Sequence, residues 1–283
     1  MKSYNTDKEK AKAKDDVDTI EKDLKRGNYG DELGPAVGRI LRSYAIHDKK
    51  LGYTQGMHSF VRELVREMSE EDAFALLTCA MTEYGMRAIW INMELVAYVA
   101  GLLGDDASPF VDESKTGSLL KGILNKKQVK VLKENSIMWV CYVSSWLNSA
   151  GVFGIKGEKK EPCSFAPLYD KVFEQTSVPG WKVLVRVFLA AVDMVKEKLV
   201  PAIEVSQQGA IVPTFVELFA SNESFNGLIS HAFSSKKLET LTMNLQWPLG
   251  TTDAGGDGGG RQKGGGRPSR ILSMFQRGAR CGS

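Results

Sequence analysis

Histidine and cysteine are scarce in this 283-residue sequence. There are three histidines, His47, His58 and His231, and four cysteines, Cys79, Cys141, Cys163 and Cys281. None of the histidines has a second ligating residue three or four positions on, so a helix-borne metal site is not indicated. The cysteines have no metal-like spacing. Cys79 and Cys141 lie in apolar helical runs and read as small core residues. That leaves Cys163 and Cys281 as candidate exposed thiols, and no base is identifiable for a Cys163 nucleophile. A polar start without a signal sequence makes a reducing, cytoplasmic compartment the expectation.

Long apolar runs are missing too. Ala73–Gly104 is interrupted by Glu83, Arg87 and Glu94, and Ile137–Ile155 by Ser144, Ser145, Asn148 and Ser149. Neither offers the roughly 20 uninterrupted apolar residues of a transmembrane helix. No segment alternates apolar and polar residues long enough for a strand, and no fixed-period repeat suggests a solenoid. The C-terminal glycine runs lack the Lys-Ser/Thr of a phosphate loop. Net charge is +3, but Gly250–Ser283 holds six basic residues against Asp253 and Asp257, which is +4. The remainder is 3 − 4 = −1, so a nucleic-acid groove is not indicated.

What is present is helical periodicity. Hydrophobic residues make up 43% of the chain, enough for one large core or two modest ones. Residues 1–16 read as a charged flexible lead or frayed helix start. Val17, Ile20 and Leu24 then form a short stripe ending at Gly27, and Asn28–Pro35 reads as a loop. Val37, Ile40, Leu41, Tyr44 and Ala45 follow a helical period. So do Met57, Phe60, Val61, Leu64, Val65 and Met68, with Arg62, Glu63, Arg66 and Glu67 expected on the outer face. Ser69-Glu70-Glu71-Asp72 resembles an acidic helix start. Further helices are expected at about Ala73–Tyr84, Asn92–Leu103, Ser118–Lys133, Ser136–Asn148, Trp181–Leu199, Gly209–Phe219 and Phe225–Phe233. The fold class is all-α: one multi-helix domain over 17–248, then a disordered Gly/Arg-rich tail over 249–283.

Two polar clusters interrupt this pattern. Asp23 and Arg26 are neighbours on a helix surface beside the stripe, so the carboxylate can hold the guanidinium as it projects past the helix end. Gln55 follows Arg26 by 29 positions (55 − 26). It lies between Gly52 and Gly56, at or just before a long helix that gives it a rigid base. An arginine and a glutamine at one site suit GTP hydrolysis, which needs charge absorbed on the phosphates and an attacking water oriented.

In order and spacing, these segments resemble the paired motifs of TBC-domain GTPase-activating proteins, which act on Rab-family GTPases. The family's Ile-x-x-Asp-x-x-Arg is matched at Ile20, Asp23 and Arg26, and its Tyr-x-Gln-Gly-Met at Tyr53, Gln55, Gly56 and Met57. The resemblance extends with gaps from about Val17 to about Trp247. A third family motif, Arg-Ile-Trp-Asp with a downstream Gly-Trp, is matched only in part, by Lys171, Phe173, Glu174, Gly180 and Trp181.

The resemblance implies a TBC-type fold and two catalytic fingers. Arg26 would neutralise the transferring phosphate and Gln55 would orient the water, with Asp23 and Tyr53 bracing them. It implies a Rab-family GTPase in its GTP form as partner, with GTP and Mg2+ belonging to that partner and no cofactor in the chain. It also implies a cytoplasmic protein open to peripheral recruitment to endomembranes. A TBC-like GTPase-binding scaffold without activation is the alternative, and the presence of both fingers favours activation. The family normally has helices ahead of the arginine motif. Their absence would leave the face of Val37, Ile40 and Tyr44 exposed. Gly151–Pro167 reads as an insertion.

Overall fold

A computed structural model of the chain describes residues 7–26, 33–91, 93–105, 108–152, 164–175, 177–206, 214–215 and 217–246. Gly27, residues 28–32 of the expected Asn28–Pro35 loop, most of the 151–167 segment, Cys163, Cys281, Trp247 and the tail fall outside them, while Leu33–Pro35 open a helix instead of closing the loop. The described residues contain α-helices and short 3-10 turns and no strand, as the missing alternation predicts. None of these helices is long and apolar enough to cross a membrane.

The N-terminal half is built from α1 (Asp7–Arg26), α2 (Leu33–His47), α3 (Met57–Glu67), α4 (Glu70–Thr82), α5 (Arg87–Ile91) and α6 (Glu94–Leu103). Ahead of α4, Ser69 accepts a hydrogen bond from the Asp72 amide, the capping arrangement its sequence suggests. The α2 stripe is buried as patterned, and α2 packs between α1, α3 and α4. The face of Val37, Ile40 and Tyr44 is therefore covered, against the expectation of exposure. α1 and α3 pack on α2 most extensively. α1 begins at Asp7, so its charged first half is helix rather than loose lead, and of its expected stripe Ile20 is buried, Leu24 half-buried and Val17 exposed.

The other half follows as α7 (Ser118–Ile123), α8 (Lys126–Glu134), α9 (Trp139–Asn148), α10 (Ala166–Glu174), α11 (Gly180–Ser206), α12 (Asn222–Ser234) and α13 (Lys236–Met243). The expected single helix over 118–133 is two. Asn125 accepts from the Gln128 amide at 2.9 Å while the Gln128 side chain accepts from the Asn125 amide at 3.0 Å. This reciprocal cap starts a new helix inside a continuous apolar period. α9 begins at Trp139 rather than Ser136, because Asp105 accepts from the amides of Trp139 and Val140, both at 2.8 Å.

The axis of this half is α11. Residues 183–185 and 187–192 are buried on every side, as expected of a helix apolar all round. Arg186 interrupts that run and donates to the Ala232 carbonyl at 2.8 Å. The helix passes Pro201 instead of stopping at Leu199, since Leu199 and Ile203 keep the buried stripe going. Around it, α12 and α13 pack on α11, and Trp146, Phe165, Phe188, Phe219 and Phe225 make a continuous aromatic cluster. Within 209–219, Thr214 and Phe215 are helical and Glu217–Phe219 is a 3-10 turn.

Two further expectations are corrected. Cys141 is exposed and Cys79 only half-buried, because α9 turns Trp139, Tyr142, Val143, Trp146 and Leu147 inward and α4 turns Ala73, Leu76, Leu77, Ala80 and Met81 inward. Glu63 is buried rather than outward. Arg62 at 3.2 Å and Arg66 at 3.5 Å accompany it, and burial still raises its carboxyl above the usual range despite both arginines.

Candidate functional site

The two polar clusters meet along α1. Asp16, Ile20 and Asp23 recur at steps of four and three, so they share one face, and all three are buried. This face clamps the glutamine loop at two points. Asp16 accepts from the Tyr53 amide at 3.2 Å, and Asp23 accepts from the Tyr53 hydroxyl at 2.8 Å. Lys12 reaches Asp16 at 3.3 Å and donates to the Leu51 carbonyl at 3.2 Å. Gly52, at φ 69°, lies directly beneath the Lys12–Asp16 pair, where a Cβ would collide with it.

Asp23 is the hinge of the arrangement. It is 2% exposed, and its other oxygen accepts from Arg26 at 3.2 Å. The Arg26 side chain stands 69% exposed at the helix end. The Tyr53 oxygen also lies 3.0 Å from His58 Nδ1. A carboxylate only accepts, so the single phenolic proton goes to Asp23 and His58 Nδ1 carries a proton toward the phenol oxygen. Burial holds the His58 imidazolium below its ordinary range. Asp23 at 3.9 Å opposes that shift and Arg62 adds to it.

Beyond Tyr53 the loop is locked from the other side. Gly56 has φ 100°, and a Cβ there would run into the Asn148 carbonyl. That carbonyl also accepts from Trp90 Nε1 at 2.9 Å. Thr54 donates to the Trp90 carbonyl at 3.4 Å. Met57 is fully buried, and Phe60 packs against Trp90 and Tyr169. Gln55 stays exposed on this rigid turn. The close approach that requires Gly56 is thus intramolecular, and it fixes the base from which Gln55 projects. An exposed arginine, and the loop that carries an exposed glutamine, are tied to the two oxygens of one buried carboxylate.

A family model for the Rab-GTPase-TBC domain matches residues 1–200. The chain belongs to the Rab-GTPase-TBC domain family. Among curated proteins, this TBC chain is 36% identical over 67 residues to Rab GTPase-activating protein eat-17 of Caenorhabditis elegans. It is 38% identical over 52 residues to the Ecotropic viral integration site 5 ortholog of Drosophila melanogaster, and 28% over 97 residues to GTPase-activating protein GYP5 of Saccharomyces cerevisiae. These segments cover 24%, 18% and 32% of the chain but only 7%, 6% and 11% of the relatives' own lengths. The family match ends within α11, short of Trp247, so α12 and α13 lie beyond it.

The partly matched third motif forms a packing joint. Lys171 pairs with Glu174 at 2.7 Å on the outside of α10. Phe173 is buried edge-on against Tyr84, Trp181 is buried, and the Gly180 amide donates to the Tyr84 carbonyl at 2.7 Å. These residues tie α10 and α11 to the end of α4, and none of these contacts reaches Arg26 or Gln55.

Sequence reasoning missed Lys12 and Asp16, which lie in the presumed lead, and His58, which it considered only as a metal ligand. Helix-forming Ala, Lys and Glu across 8–16, with Lys12 and Asp16 one turn apart, were the available signal. It also missed the Asp48–Arg87 pair, at 2.8 and 3.3 Å, which braces the loop after α2. Burial raises the Asp48 carboxyl, but Arg87 and the Leu51 amide outweigh it and hold the group below its ordinary range.

Proposed function

We propose that this TBC domain accelerates GTP hydrolysis by a Rab-family GTPase, with Arg26 and Gln55 entering the partner's site in trans. The observation that carries the reading is Asp23. A buried carboxylate holds an exposed guanidinium on one oxygen and the glutamine loop, through Tyr53, on the other. Arg26 neutralises charge on the transferring phosphoryl group, and Gln55 orients the attacking water through its amide. GTP and its magnesium ion come with the GTP-bound partner, whose membrane is the place of recruitment. An arginine supplied in trans accounts for about 10³–10⁵ in rate, or roughly 4–7 kcal/mol of barrier.

The test is phosphate release from a panel of GTP-loaded Rab proteins, with and without the chain. Stimulation of at least one is expected. On that GTPase with its own catalytic glutamine replaced, stimulation persists and Gln55→Ala removes it. Binding without acceleration across the panel would make the domain a scaffold instead.

A further inference from the structure

The strongest charge asymmetry of the folded part is remote from the fingers. Residues 118–138 carry Lys121, Lys126, Lys127, Lys130 and Lys133 against Glu134 alone, a net +4, in a chain whose other residues up to 249 sum to −5 (−1 − 4). On α8 the lysines fall at i, i+1, i+4 and i+7, one outward face, while Gln128, Val131 and Leu132 turn inward. Lys130 is paired with Glu134 at 3.5 Å. Among the described residues no carboxylate lies within 4 Å of Lys126, Lys127 or Lys133.

Beside this face is a cavity of about 460 Å³ lined by Leu120, Val129, Leu132, Ile137 and Met138, with Lys121 and Lys133 also on its wall. Met138 is half exposed at its mouth. We infer that α7, α8 and Met138 form a docking surface for an anionic lipid bilayer, the lysines facing the headgroups and Met138 entering the interface. The chemistry separates this occupant from others. Segment 118–138 contains no arginine, so it has no planar fork for a single phosphate or carboxylate, whereas flexible ammonium groups suit diffuse surface charge. It also presents no exposed aromatic residue for stacking bases. α8 packs mainly on α7 and α11, so changing its outer face leaves the supports of Arg26 and Gln55 in place.

The experiment is co-sedimentation of the full chain, without any GTPase, with phosphatidylcholine vesicles or vesicles containing 30% phosphatidylserine. Binding is expected only with phosphatidylserine and should weaken steeply as salt rises. Each lysine near an anionic surface contributes about fivefold in partitioning. Neutralising Lys126, Lys127, Lys130 and Lys133 together to glutamine should therefore lower it about 100-fold or more at unchanged melting temperature. The basic tail is present in both proteins, so the difference reports α8 alone. Equal binding of the two chains, binding to phosphatidylcholine alone, or capture by a soluble acidic peptide with none by vesicles would each overturn the assignment. Because no GTPase is present, these outcomes are independent of the finger mechanism.

Discussion

Replacing Asp23 by asparagine separates its hold on the buried Tyr53 from its hold on the exposed Arg26. The amide keeps the shape but has one accepting oxygen where the carboxylate has two, so Arg26 and Tyr53 can no longer both be satisfied. The two halves are unequal. Arg26 is largely in water, and an exposed ion pair contributes about 0–1 kcal/mol. The Tyr53 bond at 2.8 Å is buried, and a bond to a charged acceptor there contributes about 1.5–3 kcal/mol. In the variant His58 can switch tautomer so that Nδ1 accepts a hydrogen bond from the Tyr53 hydroxyl, so the expected loss for Asp23→Asn is about 1–2 kcal/mol. For a domain of this size that is a fall of about 2–8 °C in Tm. Double-mutant cycles in urea make the partition measurable. Coupling between Asp23→Asn and Tyr53→Phe should reach about 1–2 kcal/mol, and between Asp23→Asn and Arg26→Ala stay below about 0.5 kcal/mol. A larger coupling to Arg26 than to Tyr53 would refute the assignment of Asp23 as the anchor of the loop.

Gly56→Ala forces a side chain into the Asn148 carbonyl at φ 100°, so thermal melting should show a loss of about 2–4 kcal/mol, with stimulation lost alongside. The His58 proton is held less tightly in the fold than in the unfolded chain. Falling pH therefore favours unfolding, and the stability carried by the neutral ring is lost below its ordinary value of 6.5. Denaturation curves at pH 5.5 and 7.5 should differ less for His58→Gln than for the parent. Asp170 behaves oppositely. Burial, then Glu174, pushes its carboxyl from 3.8 to about 6, and its buried Oδ1 has no hydrogen-bond partner among the described residues. Its stabilising protonated form is lost as pH rises through about 6. Asp170→Asn should thus stabilise by about 1–2 kcal/mol at pH 7.5, allowing for water contact, and lose that advantage near pH 4.

The fold class and the pairing of Asp23 with Arg26 were legible because they rest on local pattern. The stripes of α2 and α3 bury as their periods require, and Asp23 and Arg26 meet because three residues bring neighbours together on any helix. What stayed hidden depends on tertiary partners. Asp16 looks like a solvated charge until Tyr53 offers it an amide 37 positions away. Glu63 looks like an outer-face residue until Arg62 and Arg66 fold back over it. The break at Asn125 is invisible to a count of apolar residues, since Ile123, Leu124, Val131 and Leu132 keep a helical period across it; the cap alone decides. α5 is too short for any period to show. The expectation that α2 would lie bare failed because α1, α3 and α4 all pack on it. The charged stretch of α1 shows little sign of a packed helix until buried Asp16 and Asp23 find partners in the loop they hold.

The central claim is that Arg26 acts on the partner's nucleotide and not on the stability of its own chain. Single-turnover hydrolysis by a responsive GTP-loaded Rab protein, with parent, Arg26→Ala and Arg26→Lys, tests it most directly. Both variants should lose about 10³-fold or more of the stimulation, lysine included because it lacks the planar fork, with Tm and binding to the GTP-loaded partner little changed. Near-parental rates with either variant would contradict the account.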